Sequence, residues 1–429
     1  MKFSSNKNMI SFGYRVYIDS GASKQQNGSL KVSIQSDDGT KKLLSTEELA
    51  EKYQMVCSEG FKKSDDYTEC LAERIKYFIE LTKEKPDFKK LTENDKKLSG
   101  VVLNVPCQVV DNKAGIIANL KLPDGKSITD VDFGKVEKDL KENVETSDDF
   151  KFIATNDLPG AAAGIAKILA NKNMLNEGFY GAVCMTGGGL GVVDIKVKGG
   201  KLEIEASESG NNPALKTPSF PLEKDGASSP ALIRNFAKKL GFNEEDTQAL
   251  ISTGKSKLIF KHHLKVEKDS PSLQGILNTG LFKVLDEDDT PVIKLKLKGI
   301  NKKKHTKACI NAVEKYIDSM AQLTATKVTQ GLNLLILTGP LAGGVRDFVS
   351  ENKDTFKGKD LGLLINEKTY SYLEDSGKDM AKTSNFKVVC DKDFELNDNT
   401  VGGKVLLAGQ VIDPKHRGNW INIPVEALK

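Results

Sequence analysis

A chain of 429 residues is too long for one compact core and implies two or more domains. Its 38% apolar and 28% charged content is ordinary for a globular protein, and 63 basic against 59 acidic residues leave a net charge of only +4. A total so balanced supplies no one-signed field, which argues against nucleic acid or anionic lipid as partners at the level of overall charge.

The opening MKFSSNKNMISFGY lacks the apolar core of a signal peptide, and no run reaches the length of a membrane span. The six cysteines (Cys57, Cys70, Cys107, Cys184, Cys309 and Cys390) are scattered without close pairs. That spacing predicts reduced thiols in a cytoplasmic chain rather than a disulfide framework or a zinc site.

In chain order, YRVYIDSG and SLKVSIQSDDGT alternate apolar and polar residues around Gly, Ser, Asn and Asp, which predicts a first hairpin. From Ser45 to about Leu98 the spacing turns helical, with Ser45-Thr-Glu-Glu as a start signal. GVVLNVPCQVV is a nearly continuous apolar run, typical of a strand covered on both faces, and FKFIATND is a second. AAAGIAKILANK then predicts a helix, FYGAVCMTGGG a buried strand running into glycines, and VVDIKVKGGKLEIEA another hairpin. The tract HTKACINAVEKYIDSMAQLTATKVTQG reads as a long helix leading into the apolar strand LNLLILTG. Strand blocks alternating with helices, with a hairpin opening each half, predict an α/β protein of two related lobes.

Three glycine-rich turns stand at strand ends: DSGASK (19–24), TGGGLG (186–191) and TGPLAGG (338–344). Consecutive glycines let backbone N–H groups converge on an anion with no side chain in the way. The strand–turn–strand context of TGGGLG excludes the Walker loop and the dinucleotide fingerprint, which both need a helix after the turn. A fourth strand end carries Asn156-Asp157, followed by the small residues of LPGAAAG. A carboxylate and an amide there suit hydroxyl chemistry, and the small residues let the following helix pack closely.

The order of these elements resembles the ROK/glucokinase group of sugar kinases, in the hexokinase–actin–Hsp70 superfamily. The resemblance covers most of the chain, including VVLNVPCQVVDNKAGIIANLKLP and VGGKVLLAG. It implies two RNase-H-like lobes with a central cleft. The N-terminal lobe is expected over residues 1–155 and the C-terminal lobe over 156–429, with a helix around 401–410 returning to the first. It further implies an ATP-dependent sugar kinase, most simply a glucokinase or hexokinase acting on the 6-hydroxyl of glucose. The alternatives are a kinase of another hexose or N-acetylhexosamine, or a member that binds sugar or nucleotide without transfer.

Carried over by position, the resemblance makes Asp157 the catalytic base. Asn156, Glu208, Asn211 and Glu267 become sugar contacts. Asp19, Gly21 and Ser23 form a first phosphate turn, Gly187, Gly188, Gly189 and Gly191 a second, and Gly339 with Pro340 the adenosine turn. ATP and Mg²⁺ are the implied cofactors, with Asp19 holding the metal through water. The implied partner is a small sugar, with neither nucleic acid nor membrane, and a homodimer is compatible. The chain departs from the family at Gly188, where a Thr is usual, and at Asn211, where a His is usual; the family's clustered zinc ligands are absent. Thr186 lies next to the missing hydroxyl, but strand alternation sends its side chain to the other face. His262-His263 are expected to diverge, NKKKHTK to be a solvated loop, DEDDT a solvated turn, Cys107 a small buried residue and Trp420 a core or lobe-contact residue.

Overall fold

The computed structural model describes residues 13–19, 31–36, 41–45, 63–105, 107, 109, 112–122, 124, 126–207, 222–253, 259–268, 271–286, 291–390 and 420–428. These residues form two compact units. One comprises the described residues of 13–178, 197–206 and 420–428, the other those of 179–196 and 207–390. The changeover at Gly178/Phe179 comes one helix later than the 155/156 boundary read from the sequence.

The first unit is built on a sheet of order β3-β2-β1-β4-β7. Its strands are β1 (Tyr14–Asp19), β2 (Lys31–Ser36), β3 (Lys42–Ser45), β4 (Leu98–Val105) and β7 (Thr146–Asn156). β1 pairs antiparallel with β2 and parallel with β4, and β4 pairs parallel with β7. Every residue of β4 is buried, as its unbroken apolar run requires of a central strand. Helix α1 (Ser64–Lys83) lays Tyr67, Leu71, Ile75, Phe78 and Ile79 into this core, a spacing of three and four that keeps one stripe inward. The short α2 (Pro86–Lys89) follows it. The antiparallel pair β5 (Lys113–Lys121) and β6 (Ser127–Asp132) and helix α3 (Gly134–Asn143) connect β4 to β7.

After β7 comes α4 (Asp157–Asn171), then β8 (Tyr180–Thr186), β9 (Leu190–Lys198) and β10 (Lys201–Ser207). These three strands join β14 (Leu334–Thr338), β15 (Lys387–Val389) and β16 (Trp420–Pro424) in a sheet of order β15-β14-β8-β9-β10-β16. β8 pairs antiparallel with β9 and parallel with β14, which pairs parallel with β15. The strand order and directions around β8 thus repeat those around β1: hairpin partners on one side, parallel strands on the other. That repetition is the RNase-H-like arrangement, twice over, as the sequence led us to expect.

The second unit also carries α5 (Ser229–Leu240), α6 (Glu244–Ser252), α7 (Pro271–Asn278) and a separate sheet of β11 (His263–Glu267), β12 (Phe282–Asp286) and β13 (Val292–Leu297). Its long α8 (Lys302–Val328) buries Ala308, Ala312, Tyr316 and Met320 along one face, with α9 (Pro340–Glu351), α10 (Leu361–Thr369) and α11 (Asp375–Ser384) completing the unit.

Three minor expectations are corrected. NKKKHTK is the start of α8 rather than a loop: Asn301 accepts the Lys304 N–H at 2.8 Å, a side-chain cap that favours helix from Lys302 onward. The rings of His262 and His263 do not diverge; their centroids lie 4.6 Å apart, because His262 precedes β11 and is freed from strand alternation. Cys70 on α1 is disulfide-bonded, while Cys107, Cys184, Cys309 and Cys390 are free thiols. Sequence spacing could not show this, since folding decides which cysteines meet. The expected helix at 401–410 and most of DEDDT lie outside the described residues, as does the side chain of Trp420. Cys107 is buried, as expected.

Candidate functional site

In the first unit the candidate residues gather where the parallel strands end. In register, Asp19 of β1 stands opposite Asn104 of β4, which stands opposite Thr155 of β7. The side chain of Asp19 and all of Gly21 and Ser23 lie outside the described residues. Asn156 is the last residue of β7 and the N-cap of α4. Its Oδ1 accepts the Leu158 N–H at 2.9 Å, and its Nδ2 donates to the Cys107 carbonyl at 2.9 Å. The amide therefore joins three segments: the strand, the helix and the loop after β4. Asp157 follows as the first helical residue, half-buried, where the aligned N–H groups of α4 favour a negative charge.

The small residues after Asp157 have a steric cause. A Cβ on Gly160 would sit 2.9 Å from both Nδ2 and Oδ1 of Asn104, inside van der Waals contact. Residues Pro159 to Ala166 of α4 are all buried. The helix is pressed onto β4 at Asn104, and this fixes the height at which Asp157 emerges. The packing explains why compactness assigns α4 to the first unit.

In the second unit a cradle of backbone groups forms around Gly187–Gly189, the connection between β8 and β9. Within the turn the Gly187 N–H donates to the Gly189 carbonyl at 3.0 Å, and the Ser229 N–H at the start of α5 donates to the Gly187 carbonyl at 2.7 Å. Pro340, first residue of α9, approaches from the other side: a Cβ on Gly187 would lie 3.6 Å from its ring. The N-termini of two twelve-residue helices thus meet one glycine turn. Each brings the positive end of its dipole to the turn; at α5 the first N–H groups are already donated, Ser229 to the Gly187 carbonyl and Ala231 to the Ser228 hydroxyl, and residue 230 is proline. A Cβ on Gly188 would meet nothing within 4 Å, so the middle of the turn faces open space. Gly191 lies within β9, opposite Met185, one step beyond the turn.

Gly339 closes the cradle. Its φ of 94° and ψ of 167° belong to a region open essentially to glycine alone, and a Cβ there would lie 2.5 Å from the Thr186 carbonyl oxygen. Thr186 itself points away from the turn, as strand alternation predicts. It is fully buried, and its hydroxyl is hydrogen-bonded to the Tyr316 hydroxyl of α8 at 3.1 Å. Burial also drives the Tyr316 phenol well above its ordinary pKa.

Sequence reasoning missed the contribution of α5. The signal was present in Ser228-Ser229-Pro230: Ser228 is the N-cap, accepting the Ala231 N–H at 3.3 Å, and Pro occupies the first turn. Glu208 and Asn211 lie outside the described residues. Glu267 is exposed at the end of β11, in a sheet shared with no other described candidate. Among the described residues no three His, Cys, Asp or Glu side chains gather to hold a metal, and no helix is long and apolar enough to cross a membrane.

No family model matches the chain, and no curated protein matches it. Solved structures similar to it include the glucokinase of Balamuthia mandrillaris in complex with glucose. That likeness has 10% identity and a TM-score of 0.48, over 93% of this chain and 94% of that one. A ROK family glucokinase from Streptomyces griseus, in complex with glucose and AMPPNP, is 12% identical with a TM-score of 0.46, over 92% and 99%. The Leishmania braziliensis glucokinase is 15% identical with a TM-score of 0.41, over 92% and 94%. The fold assignment rests on the strand order and directions of the two sheets.

Proposed function

We propose that the chain is an ATP-dependent sugar kinase, with glucose phosphorylated at its 6-hydroxyl as the first substrate to test. The observation that carries this reading is the glycine turn at 187–189 flanked by the starts of α5 and α9. Phosphoryl transfer needs little covalent chemistry from the protein; it needs donors for spread negative charge, alignment, and one carboxylate near the attacking hydroxyl. The turn sits at the positive ends of the α5 and α9 dipoles, which favours a polyphosphate there, and Gly339 lets the chain run flush against β8 beside it. Asp157 takes the proton from the sugar hydroxyl, a role worth roughly 10²–10⁴ in rate. Asn156 positions Asp157 by capping its helix. Glu208 and Asn211 are assigned to the sugar, and Asp19, Gly21 and Ser23 to the phosphates. Mg²⁺, held through water by Asp19, would neutralise charge on the phosphates when bound.

One observation favours a second reading, a member that binds without transfer. The turn has no hydroxyl at Gly188, and that of Thr186 is committed to Tyr316. A coupled assay of ADP release with Mg·ATP separates the two. The sugars tested are glucose, mannose, fructose, N-acetylglucosamine and N-acetylmannosamine, each with the native chain and with Asp157→Ala. Turnover on one sugar that collapses in the variant supports the kinase and names its substrate. Silence on every sugar, with glucose or ATP still raising the melting temperature, supports binding alone. Absence of both would overturn the reading.

A further inference from the structure

The balanced net charge hides a local concentration on the sheet of β11, β12 and β13. Its inner face is apolar: Leu264, Leu295, Leu297 and Phe282 are buried in the core of the second unit. Val266 and Ile293 pack against the same core, and strand alternation puts the residues between them on the outer face. Register aligns them in rows. Lys283 of β12, Lys296 of β13 and His263 of β11 stand side by side, and the next row sets Lys294 opposite Lys265. Lys298 extends the face just beyond β13, and Lys302–Lys304, exposed at the start of α8, follow it closely in the chain. Desolvation lowers the His263 pKa, and the charges of His262, Lys296, Lys294 and Lys302 lower it further.

This arrangement works against the stability of the isolated fold. Like charges directly opposite one another on adjacent strands destabilise a sheet. Protection of sheet edges accounts for Lys265 and Lys283 on the edge strands β11 and β12, but not for Lys294 and Lys296 on the central β13. Among the described residues, Lys265, Lys283 and Lys296 form no ion pair. Among the described side chains the acid on this face is Glu267, at the far end of β11; in register Asp286 stands opposite Lys294.

We propose that this face docks the protein on an anionic lipid bilayer. Lysines set in adjacent rows on one sheet face present their charge together to an array of headgroups. Its cations are all lysine apart from His263: no arginine occurs between Arg234 and Arg346. Arginine forks for base edges and phosphates and aromatic rings for stacking on bases, the usual means of nucleic-acid recognition, are missing from it. Lysine ammonium groups give the diffuse attraction that bilayer charge exerts on basic surfaces. This attraction fades within a Debye length of about 8 Å at physiological salt, so a local patch suffices in a chain of small net charge.

The test is co-sedimentation of the full chain with vesicles of pure phosphatidylcholine and of phosphatidylcholine with 30 mol% phosphatidylserine (about the anionic content needed for a negative surface). Binding to the anionic vesicles only, weakening as salt rises, is expected. The triple variant Lys283→Gln/Lys294→Gln/Lys296→Gln should lose affinity by roughly 100-fold, at about fivefold per lysine. Lys238→Gln/Lys239→Gln on α5 should lose none. The triple variant should melt no lower than the native chain, since it removes like-charge neighbours; this separates loss of docking from loss of folding. Equal binding to both vesicles, an undiminished triple variant, or tighter binding to a duplex DNA oligonucleotide than to the anionic vesicles would each overturn the proposal.

Discussion

At the scale of single residues, two glycines of the candidate phosphate cradle make opposite predictions. Gly339→Ala places a methyl group 2.5 Å from a backbone oxygen and forces an L-residue to a φ of 94°. It should cost about 1–3 kcal/mol in urea unfolding. Gly188→Ala meets nothing and should leave the unfolding midpoint unchanged. If the two variants proved equally stable, the close approach of α9 to β8 would be in error. The Thr186–Tyr316 hydrogen bond is a third such site. Thr186→Val leaves the buried Tyr316 hydroxyl without this partner, at a cost of about 1–3 kcal/mol. Adding Tyr316→Phe should recover part of that loss, because removing both partners is milder than removing one. A double variant no better than additive would mean the bond carries little.

At the scale of elements, the start of α4 couples stability to the proposed chemistry. Asn156→Ala removes both the cap on Leu158 and the donor to Cys107. Loss of the cap alone is worth about 1 kcal/mol. We expect lower stability together with faster amide hydrogen exchange at the first turn of α4, the turn that carries Asp157. Unchanged exchange there would show that packing at Gly160, rather than the cap, holds the turn. Much of this element was legible in the sequence: the Asn-Asp pair marked the strand end, and the run of small residues marked a close approach. Its partner was not, since Asn104 is far away in the chain and only sheet register brings it beneath Gly160. The convergence of α5 and α9 on the glycine turn was hidden for the same reason, although Ser228-Ser229-Pro230 announced a helix start locally.

For the whole molecule, stability should depend on pH through His305. This ring is buried on α8, with its centroid 5.4 Å from that of Phe236 and 5.3 Å from that of His262. Its Nε2 has no hydrogen-bond partner among the described residues. Burial, reinforced by the charges of His262 and His263, lowers its pKa to about 4 from 6.5. The unfolded chain therefore takes up the proton first as pH falls. The contribution of a neutral His305 is complete above about 6.5 and is lost progressively down to about 4. Urea unfolding at pH 7 and pH 5 should differ by on the order of 1 kcal/mol from this residue, once solvent screening is allowed for. In His305→Phe that difference should shrink; the same pH slope in the variant would assign it to other groups. Charge behaves in the same way at this scale, since a nearly neutral total conceals a sheet face of lysines that only strand register assembles.

The sequence by itself determined the α/β class, the doubling of a hairpin-led unit, and the strand ends at which glycines and the Asn-Asp pair stand. Those features are local: periodicity reports which face is buried, and glycine reports where backbone must bend or approach. Tertiary structure alone decided which of them meet. It placed Gly160 over Asn104, turned the Thr186 hydroxyl onto Tyr316, and aligned Lys283, Lys296 and His263 in one row. It also committed Cys70 to a disulfide against the reading of its spacing. Contacts between residues far apart in the chain depend on register and packing, and neither composition nor periodicity carries that information.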